Sequence, residues 1–510
     1  MGDFRGEMAT GYGFDGASVA VGRPLAPDGS PVTDVEVRLP VALLNRHGLI
    51  TGATGTGKTR TLQLLAEQIS AAGCPVFAAD MKGDVAGIGA AGEGGGKVAE
   101  RAAELGYAWR SGAAPVEVLS LTGDDGVPLR ASVAGFGPTL LSKVLSLNET
   151  QESSLGLVFR FCEARGLPLV ELSDLRAALA WLVGPGKGEL ESLGGLSKAT
   201  VGVLQRKVTQ LEADGGDVFF GEPSFDVNDL MRTAPDGRGV VNVLALADVA
   251  QRPALFSTFL MWLLAELFEE LPEVGDLDVP KLVFFFDEAH LLFEDASKGF
   301  LQAVTQTVRL IRSKGVGVFF VTQLPTDLPD EVLGQLGHRV QHAVRAFTAN
   351  DAKALRKVVD TYPVTEHYDL AETLQSLGVG EAVVTVLNPR GVPTPVAATR
   401  LFPPASRMAP LTAEERDAVI AASPLRPRYW ERVDRESAEE MLAARVAGDR
   451  RRVEEARGRA RPAPRAEAPR RPRSDDDLVG QVTDMLGSRV AQQIGREVVR
   501  GIFGLLKRRL

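Results

Sequence analysis

A glycine-rich stretch near the start of the chain has the residue types and spacing of a phosphate-binding loop. Gly52, Gly57, Lys58 and Thr59 occupy the fixed positions of the Walker A motif. Glycines let backbone N–H groups turn toward phosphate oxygens, and the following helix directs its positive end at them. Lys58 is expected to reach the β and γ phosphates of ATP, and Thr59 to place its hydroxyl on Mg²⁺. The predicted nucleotide-binding residues are Gly52, Ala53, Thr54, Gly55, Thr56, Gly57, Lys58, Thr59 and Arg60.

A pair of acids follows the apolar run of "KLVFFFDEAHLLF". A buried strand that ends here delivers Asp287 and Glu288 to the carboxyl edge of a parallel sheet, where ligands bind. Asp287 fits a Walker B acid that holds Mg²⁺ through water, and Glu288 fits the base that polarises the attacking water. The competing interpretation is a helix start whose two acids complement the helix dipole. His290, one turn further on, is more typical of ordinary packing or solvent contact than of a sensor.

The stretch "VRLIRSKGVGVFFVTQ" offers a polar sensor at a strand end. In P-loop ATPases with an extra strand between the Walker A and Walker B strands, the extra strand ends beside the γ phosphate. Gln323 then lies between Lys58 and Glu288, where its amide can donate to a phosphate oxygen and accept from the attacking water. The alternative role for Gln323 is capping of the strand end.

Two arginines precede that strand, three positions apart on one helical face. Interaction of Arg309 and Arg312 with the helix C-terminus, worth a few tenths to about 1 kcal/mol, is sufficient as a purely structural explanation. An arginine finger would instead have to approach the far side of a nucleotide. A helix end at this place in the sheet order should face the neighbouring subunit, so a catalytic arginine here requires a ring.

The hydrophobic pattern indicates the elements that position these residues. Apolar runs of strand length recur with helical patterns between them, which predicts an α/β fold with a mainly parallel sheet covered by helices. The apolar strand that enters Walker A and the helical pattern that leaves it disfavour a glycine-rich turn without a ligand. The predicted segments are a short N-terminal segment (1–45), a core with Walker A (46–136), an all-α insertion (137–236), the remaining core with Walker B and sensor (237–405), a helical extension (406–443), an Arg/Pro-rich linker (444–477) and an amphipathic C-terminal helix (478–510).

Composition limits the possible environments. The chain has 510 residues, a formal net charge of -9 and two cysteines, too few for a disulfide scaffold or a metal cluster. The chain shows no secretory signal, and its densest apolar segment, 253–268, is short and carries Glu266, so we expect no transmembrane segment and a cytoplasmic location. Residues 441–510 hold 17 basic and 9 acidic side chains, which makes the tail basic and the body acidic.

With Walker A, "FFFDEAH" and "VTQLP" in this order, the chain resembles the HerA and FtsK superfamily of ring-forming motor ATPases. The segments "AADMKGD" and "RSKGVGVFFVTQLPTDLPDEVLGQLGHRVQHAVRAF" are similar to the HerA-like family called YjgR. The resemblance implies a RecA-like P-loop NTPase core of the ASCE type and a hexameric ATPase that uses ATP and Mg²⁺. It also implies Arg312 as the trans finger, with Arg309 as the alternate. HerA proper has a β-barrel before its motor, and the residues before "RHGLITG", about forty, are too few for one.

Two functions from different classes follow. The first is a DNA translocase or helicase-like motor whose pore loops contact phosphates through Lys82 and Lys298. The second is a non-motor ATPase switch whose insertion or C-terminal helix binds protein partners or a membrane surface. For each lysine alone, a solvated loop position is the simpler interpretation. The linker is expected to be disordered or a frayed helix, and the last helix either packs on its own domain or mediates association.

Overall fold

The computed structural model describes residues 3–193, 195–247, 249, 252–293, 298–346 and 348–459. Its strands are β1 (Ser18–Pro24), β2 (Val37–Pro40), β3 (Gly48–Thr51), β4 (Val76–Asp80), β5 (Val116–Ser120), β6 (Val127–Pro128), β7 (Val241–Ala245), β8 (Leu282–Phe286), β9 (Val316–Thr322), β10 (His338–His342), β11 (Glu381–Thr385) and β12 (Ala397–Leu401). Its helices are α1 (Phe4–Tyr12), α2 (Lys58–Ala71), α3 (Gly96–Glu104), α4 (Val133–Val144), α5 (Glu149–Ala164), α6 (Leu172–Val183), α7 (Lys198–Leu211), α8 (Asp217–Phe219), α9 (Pro253–Glu270), α10 (His290–Phe293), α11 (Lys298–Ile311), α12 (Asp330–Leu333), α13 (Ala349–Val359), α14 (Leu370–Ser376), α15 (Ala413–Ala422), α16 (Arg426–Tyr429) and α17 (Ala438–Arg459).

Within the described ranges, 12 strands form one sheet in the order β2-β1-β12-β11-β10-β3-β9-β8-β4-β7-β5-β6. The strands from β10 to β6 in this order run parallel, and β2, β1, β12 and β11 add an antiparallel edge. Helices connect most of the parallel strands, and a short loop at residues 121–126 joins β5 to β6. The predicted α/β fold class is therefore confirmed.

Strand β9 lies between β3, which enters Walker A, and β8, which ends before Walker B. Thr51 pairs with Thr322, and Phe286 pairs with Phe320. Because parallel strands end at the same edge of a sheet, the residues after these pairs meet there. This order confirms the predicted extra strand of the ASCE type.

The sheet has a hydrophobic core on each face. All five residues of β8 and all seven of β9 are buried, as expected for central parallel strands. Alternate side chains of β8 point to opposite faces, so that Phe284 and Phe286 belong to one cluster and Val283 and Phe285 to the other. The first cluster includes the helices from α4 to α9, and the second includes α1 and α2.

The described residues between 133 and 219 contain helices α4 to α8, joined by turns and short 3₁₀ and π segments. An Asn148 capping box begins α5 and a Ser197 side chain caps α7, each accepting from the backbone three residues later. Leu155, Leu175 and Leu204 on these helices are buried in the same cluster as Phe284. The helical region therefore packs on the face of the sheet behind Walker B.

The segment before residue 46 contributes more than the sequence indicated. Strand β1 pairs antiparallel with β2 and with β12, which extends the sheet. Gly22 and Pro24 weaken the strand pattern of β1, since both residues are unfavourable in strand interiors. Gly22 is needed because a Cβ there would lie 2.2 Å from the carbonyl oxygen of Arg400.

The chain divides into a compact unit of residues 1–446 and a second unit of residues 447–510. Helix α17 continues to Arg459, so residues 444–459 of the expected linker are helical. Residues 460–477 of that linker and the amphipathic helix expected at 478–510 lie outside the described residues. Among the described helices, none combines the length and apolar character needed to cross a membrane.

Candidate active site

The predicted phosphate loop lies between β3 and α2 and depends on glycine at two positions. Gly52 has φ 151°, and a Cβ there would lie 2.4 Å from the Cβ of His342. Gly57 has φ 115° and directly precedes the first helical residue, Lys58. Thr54 and Gly55 are exposed at the tip. Glycine is thus required where the loop approaches His342 and where it turns into the helix.

Three neighbouring segments hold this loop through its backbone. The N–H of Gly52 donates to the carbonyl of Gln323 (3.1 Å), and the N–H of Ala53 donates to the carbonyl of Ala343 (2.9 Å). The carbonyl of Thr56 accepts from the N–H of Gly380 (3.0 Å). The loop is therefore fixed by the ends of β9 and β10 and by the turn before β11.

Lys58 is buried and bonded mainly to carbonyl oxygens of its own loop. Its Nζ donates to the carbonyls of Gly52 (2.8 Å) and Ala53 (3.3 Å). Burial lowers the pKa of Lys58, and the charges of Glu288 and Asp287 act in the opposite direction. An anionic phosphate in the loop would favour the charged ammonium further. The environment thus suits a lysine that binds an anion.

The other predicted residues of the motif lie on the first turn of α2. Thr59 and Arg60 are both half-buried. The Arg60 guanidinium donates to the Gln63 amide oxygen (2.8 Å) and lies 3.5 Å from the carboxylate of Asp84. Arg60 is therefore engaged with its own helix and with the loop after β4.

Asp287 follows the last residue of β8 and is 3% exposed. Burial, followed by the charge of Glu288, raises the pKa of Asp287 to about 6. Its Oδ1 accepts from the backbone N–H of Glu288 (2.9 Å), whereas its Oδ2 is buried and has no hydrogen-bond partner among the described residues. A buried carboxylate oxygen without a partner is costly unless a ligand completes it. Mg²⁺, which prefers oxygen ligands, fits this atom.

Glu288 has a backbone conformation that favours glycine. Its φ is 48°, and its side chain is 10% exposed. Oε1 contacts the ammonium of Lys82, and Oε2 lies 3.5 Å from Nδ1 of His290 without a hydrogen-bond partner among the described residues. Non-glycine residues with positive φ concentrate at functional sites, where surrounding contacts hold them. The backbone strain therefore marks the residue predicted as the base.

Gln323 follows the last residue of β9 with an exposed side chain. The turn after it is held by Asp327, whose Oδ2 accepts from the Thr322 hydroxyl (2.7 Å) and from the Leu324 N–H (2.9 Å). The N–H of Ala289 donates to the carbonyl of Val321 (2.8 Å). The end of β9 thus contacts both the phosphate loop and the Walker B turn.

The two arginines lie at the opposite edge of the sheet. Arg312 occupies a 3₁₀ turn before β9, and Gln323 follows it. The seven residues of β9 span roughly 23 Å, too far for Arg312 to reach its own phosphate loop. Arg312 lies 3.8 Å from Asp276, and Arg309 is exposed on α11. Both arginines thus reach the surface away from their own site.

Lys82, predicted from the sequence as a pore-loop contact with DNA, contacts a residue of the candidate site in the structure. It follows β4 and its ammonium contacts Glu288, so that it belongs to the candidate site. The order of the strands could have predicted this contact, because β4 lies beside β8 in the sheet and Lys82 follows β4. For the other predicted contact, Lys298 begins α11, and its side chain and the preceding residues 294–297 lie outside the described residues.

Across the described ranges, no group of three or more His, Cys, Asp or Glu side chains could hold a metal ion. Mg²⁺ at a nucleotide commonly needs fewer protein ligands, because phosphates and water supply the rest. Both cysteines, Cys74 and Cys162, are buried and free.

Nearly the whole chain matches the model of one protein family. The model of the family described as Helicase HerA-like C-terminal matches residues 28–510. The chain belongs to the HerA-like C-terminal helicase family. The predicted resemblance is thereby confirmed, and the family supports a P-loop ATPase. No curated protein sequence matches this chain.

The fold of this HerA-like chain is also found in a solved structure. It is similar to the bacterial conjugative coupling protein TrwBdeltaN70 with a TM-score of 0.51 and 16% identity, covering 79% of this chain and 94% of that one. It also matches VirB4 of Thermoanaerobacter pseudethanolicus with a TM-score of 0.46 and 15% identity, covering 76% of this chain and 97% of that one.

Proposed function

We propose that this HerA-like chain is a ring-forming, hexameric ATPase that hydrolyses ATP with Mg²⁺ and uses the energy to translocate along or remodel DNA. One observation carries the ATPase: Lys58 and Asp287 lie at one edge of the sheet with Glu288, and buried oxygens of both acids have no hydrogen-bond partner among the described residues. Cation, metal ligand and base are the three groups that phosphoryl transfer to water requires.

Each residue has a distinct role in this proposal. Backbone N–H groups of the loop and Lys58 bind the phosphates of ATP, and Thr59 and Asp287 hold Mg²⁺. Bound Mg²⁺ supplies positive charge that neutralises phosphate oxygens. Glu288 accepts a proton from the attacking water. Because Glu288 is buried, its carboxylate has few competing contacts with solvent. The side-chain amide of Gln323 orients that water or reports the γ phosphate.

The ring is proposed because Arg312 lies at the end of β9 opposite its own phosphate loop, too far away to reach its own nucleotide. Arg312, with Arg309 as the alternate, is proposed to complete the neighbour's site as a trans finger. Support comes from their exposure at the sheet edge opposite the phosphate loop. An arginine finger contributes about a thousandfold or more to turnover. A single subunit is therefore expected to bind ATP and hydrolyse it very slowly.

The proposal of DNA as the substrate is supported by the helicase family to which the chain belongs. TrwBdeltaN70, which shares the fold, is described as a conjugative coupling protein. The candidate DNA contacts are Lys82 and Lys298. Protein partners through the helical insertion or the C-terminal tail, and a cytoplasmic location, complete the proposal.

Titration of ATP hydrolysis with duplex DNA tests the DNA role. Turnover should rise with DNA, and the concentration needed for half-maximal stimulation should rise steeply between roughly 50 and 200 mM salt, because counterions are released on phosphate binding. Heparin at equal charge provides a polyanion control, and Glu288→Gln provides the background of phosphate release. Turnover that DNA does not change at either salt concentration would contradict the motor and favour an ATPase switch.

A further inference from the structure

The loop after β4 is built around one buried carboxylate. Asp80 is 1% exposed, and its two oxygens accept four backbone hydrogen bonds. The donors are the N–H groups of Lys82 (3.3 Å), Gly83 (2.8 Å), Val85 (2.9 Å) and Ala86 (3.2 Å). Burial raises the pKa of Asp80, and these bonds oppose the shift. These hydrogen bonds fix the conformation of the loop and, with it, the position of the Lys82 backbone.

The register of the sheet brings this loop to the Walker B turn. Ala79 pairs with Phe286 across β4 and β8, so the residues that follow both strands emerge side by side. Gly83, with φ 78°, allows the loop to turn directly after Lys82. The contact between Lys82 and Glu288 thus follows from strand order and from the loop built on Asp80.

The two partners differ in their access to solvent. The side chain of Lys82 is 51% exposed, whereas that of Glu288 is 10% exposed. The ammonium thus reaches from the surface to an otherwise buried carboxylate. A phosphate at the surface can compete for this ammonium, because lysine is a flexible point charge that binds phosphate oxygens.

The contact bears directly on the proposed chemistry of Glu288. A general base needs a carboxylate oxygen that can accept from the attacking water. An ammonium paired with Oε1 occupies one of the two oxygens that could accept from the attacking water. Glu288 also has φ 48°, a conformation that surrounding contacts must hold in place.

We propose that Lys82 is a positioning residue that restrains Glu288, and that a backbone phosphate of nucleic acid releases the restraint by pairing with Lys82. This inference rests on the proposed ATP hydrolysis by Glu288. It gives the exposed lysine after β4 two alternative anionic partners, one in its own active site and one on the DNA. DNA binding would then be coupled to turnover through a single ion pair.

Steady-state ATP hydrolysis by Lys82→Met without DNA tests the restraint. We expect kcat to rise about two- to fivefold, the equivalent of losing a partly exposed ion pair, with KM for ATP unchanged. Lys82→Arg keeps the cation and should therefore raise kcat less than Lys82→Met does. Lys353→Met, which removes an exposed lysine on α13, is the matched control and should leave kcat unchanged.

Two further measurements show whether the effect acts through Glu288. The double variant Lys82→Met/Glu288→Gln should be as slow as Glu288→Gln alone. Duplex DNA should stimulate Lys82→Met much less than the unmodified protein, because no restraint remains to be released. A double variant that hydrolyses ATP faster than Glu288→Gln would overturn the positioning role.

The outcomes separate this inference from the proposed function. If Lys82→Met binds ATP normally but its DNA-free kcat equals or falls below that of the unmodified protein, the restraint is overturned, whatever DNA does. If its DNA-free kcat rises while the unmodified protein ignores DNA, the restraint is supported and the DNA role fails. Absence of ATP hydrolysis in the unmodified protein would overturn the proposed function and the inference together.

Discussion

The backbone carbonyl of Gln323 accepts a hydrogen bond of 3.1 Å from the N–H of Gly52. The end of β9 is thereby attached to the phosphate loop, and the bond from Ala289 to Val321 attaches the same strand end to the Walker B turn. These bonds use only the backbone. The side chain of Gln323 remains exposed for contact with substrate or water.

Replacing the Gln323 side chain should therefore affect turnover without disturbing the fold. In Gln323→Ala the bond to Gly52 persists, so we expect ATP affinity to change little and kcat to fall about a hundredfold, as when one positioned hydrogen-bonding group is lost. Gln375→Ala, at an exposed glutamine on α14, is the matched control. Equal kcat values for the two variants would exclude a catalytic role for Gln323.

Asp287 should reduce the stability of the protein at neutral and alkaline pH. Its pKa is about 6 in the folded chain against an ordinary 3.8, so the unfolded chain loses this proton first as the pH rises. The protonated carboxyl of Asp287 contributes fully to the free energy of unfolding below the ordinary pKa of 3.8. This contribution is lost as the pH rises through the folded pKa of about 6. Asp287→Asn, measured by urea unfolding without nucleotide or Mg²⁺, should therefore be about 1–3 kcal/mol more stable than the unmodified protein at pH 8.

The same comparison at acid pH provides the internal control. The difference between Asp287→Asn and the unmodified protein should shrink toward pH 4, where the folded protein has a neutral side chain at this position in both forms. Asp434→Asn, at an exposed aspartate, should change stability little at either pH. If Asp287→Asn destabilises the protein at pH 8, the aspartate is already stabilised in its ionised form, which contradicts this prediction.

The sequence predicted the central strands and their order because the patterns that identify these strands are local. The apolar run of β8 and the spacing of the Walker A motif each lie within about a dozen residues, and the strand order β3-β9-β8 confirms the predicted arrangement. Strands β1 and β2 were not predicted, because Gly22 and Pro24 obscure the pattern and the pairing partner β12 lies far along the chain.

The contacts of the candidate site depend on register, which no local pattern encodes. Lys82 and Glu288 are 206 positions apart and meet because β4 pairs with β8. The bond from Gly380 to the loop at Thr56 likewise joins distant segments. A residue's type predicted what it can do, whereas the sheet determined which partner it meets.

Mixing two inactive variants tests the proposed ring. Arg312→Ala retains a complete phosphate loop, and Lys58→Ala retains the arginine, so each supplies what the other lacks. In randomly mixed rings, about a quarter of the interfaces should combine an intact loop with an intact arginine, and ATP hydrolysis should return in proportion. Native mass spectrometry would verify that mixed rings form.

Lys58→Ala mixed with Arg309→Ala distinguishes the alternate finger. Recovery in that mixture, with a fully active Arg312→Ala protein, would transfer the role to Arg309. If verified mixed rings of Arg312→Ala and Lys58→Ala stay as inactive as their parents, Arg312 does not act in trans.

The comparison of ATP binding with ATP hydrolysis in Glu288→Gln tests the central claim most directly. The substitution keeps the size of the side chain and removes its ability to accept a proton. Equilibrium binding of ATP with Mg²⁺ should stay within about twofold of the unmodified protein, while phosphate release should fall by a factor of about a hundred or more. Normal phosphate release by Glu288→Gln would contradict the assignment of this edge of the sheet as a hydrolytic site.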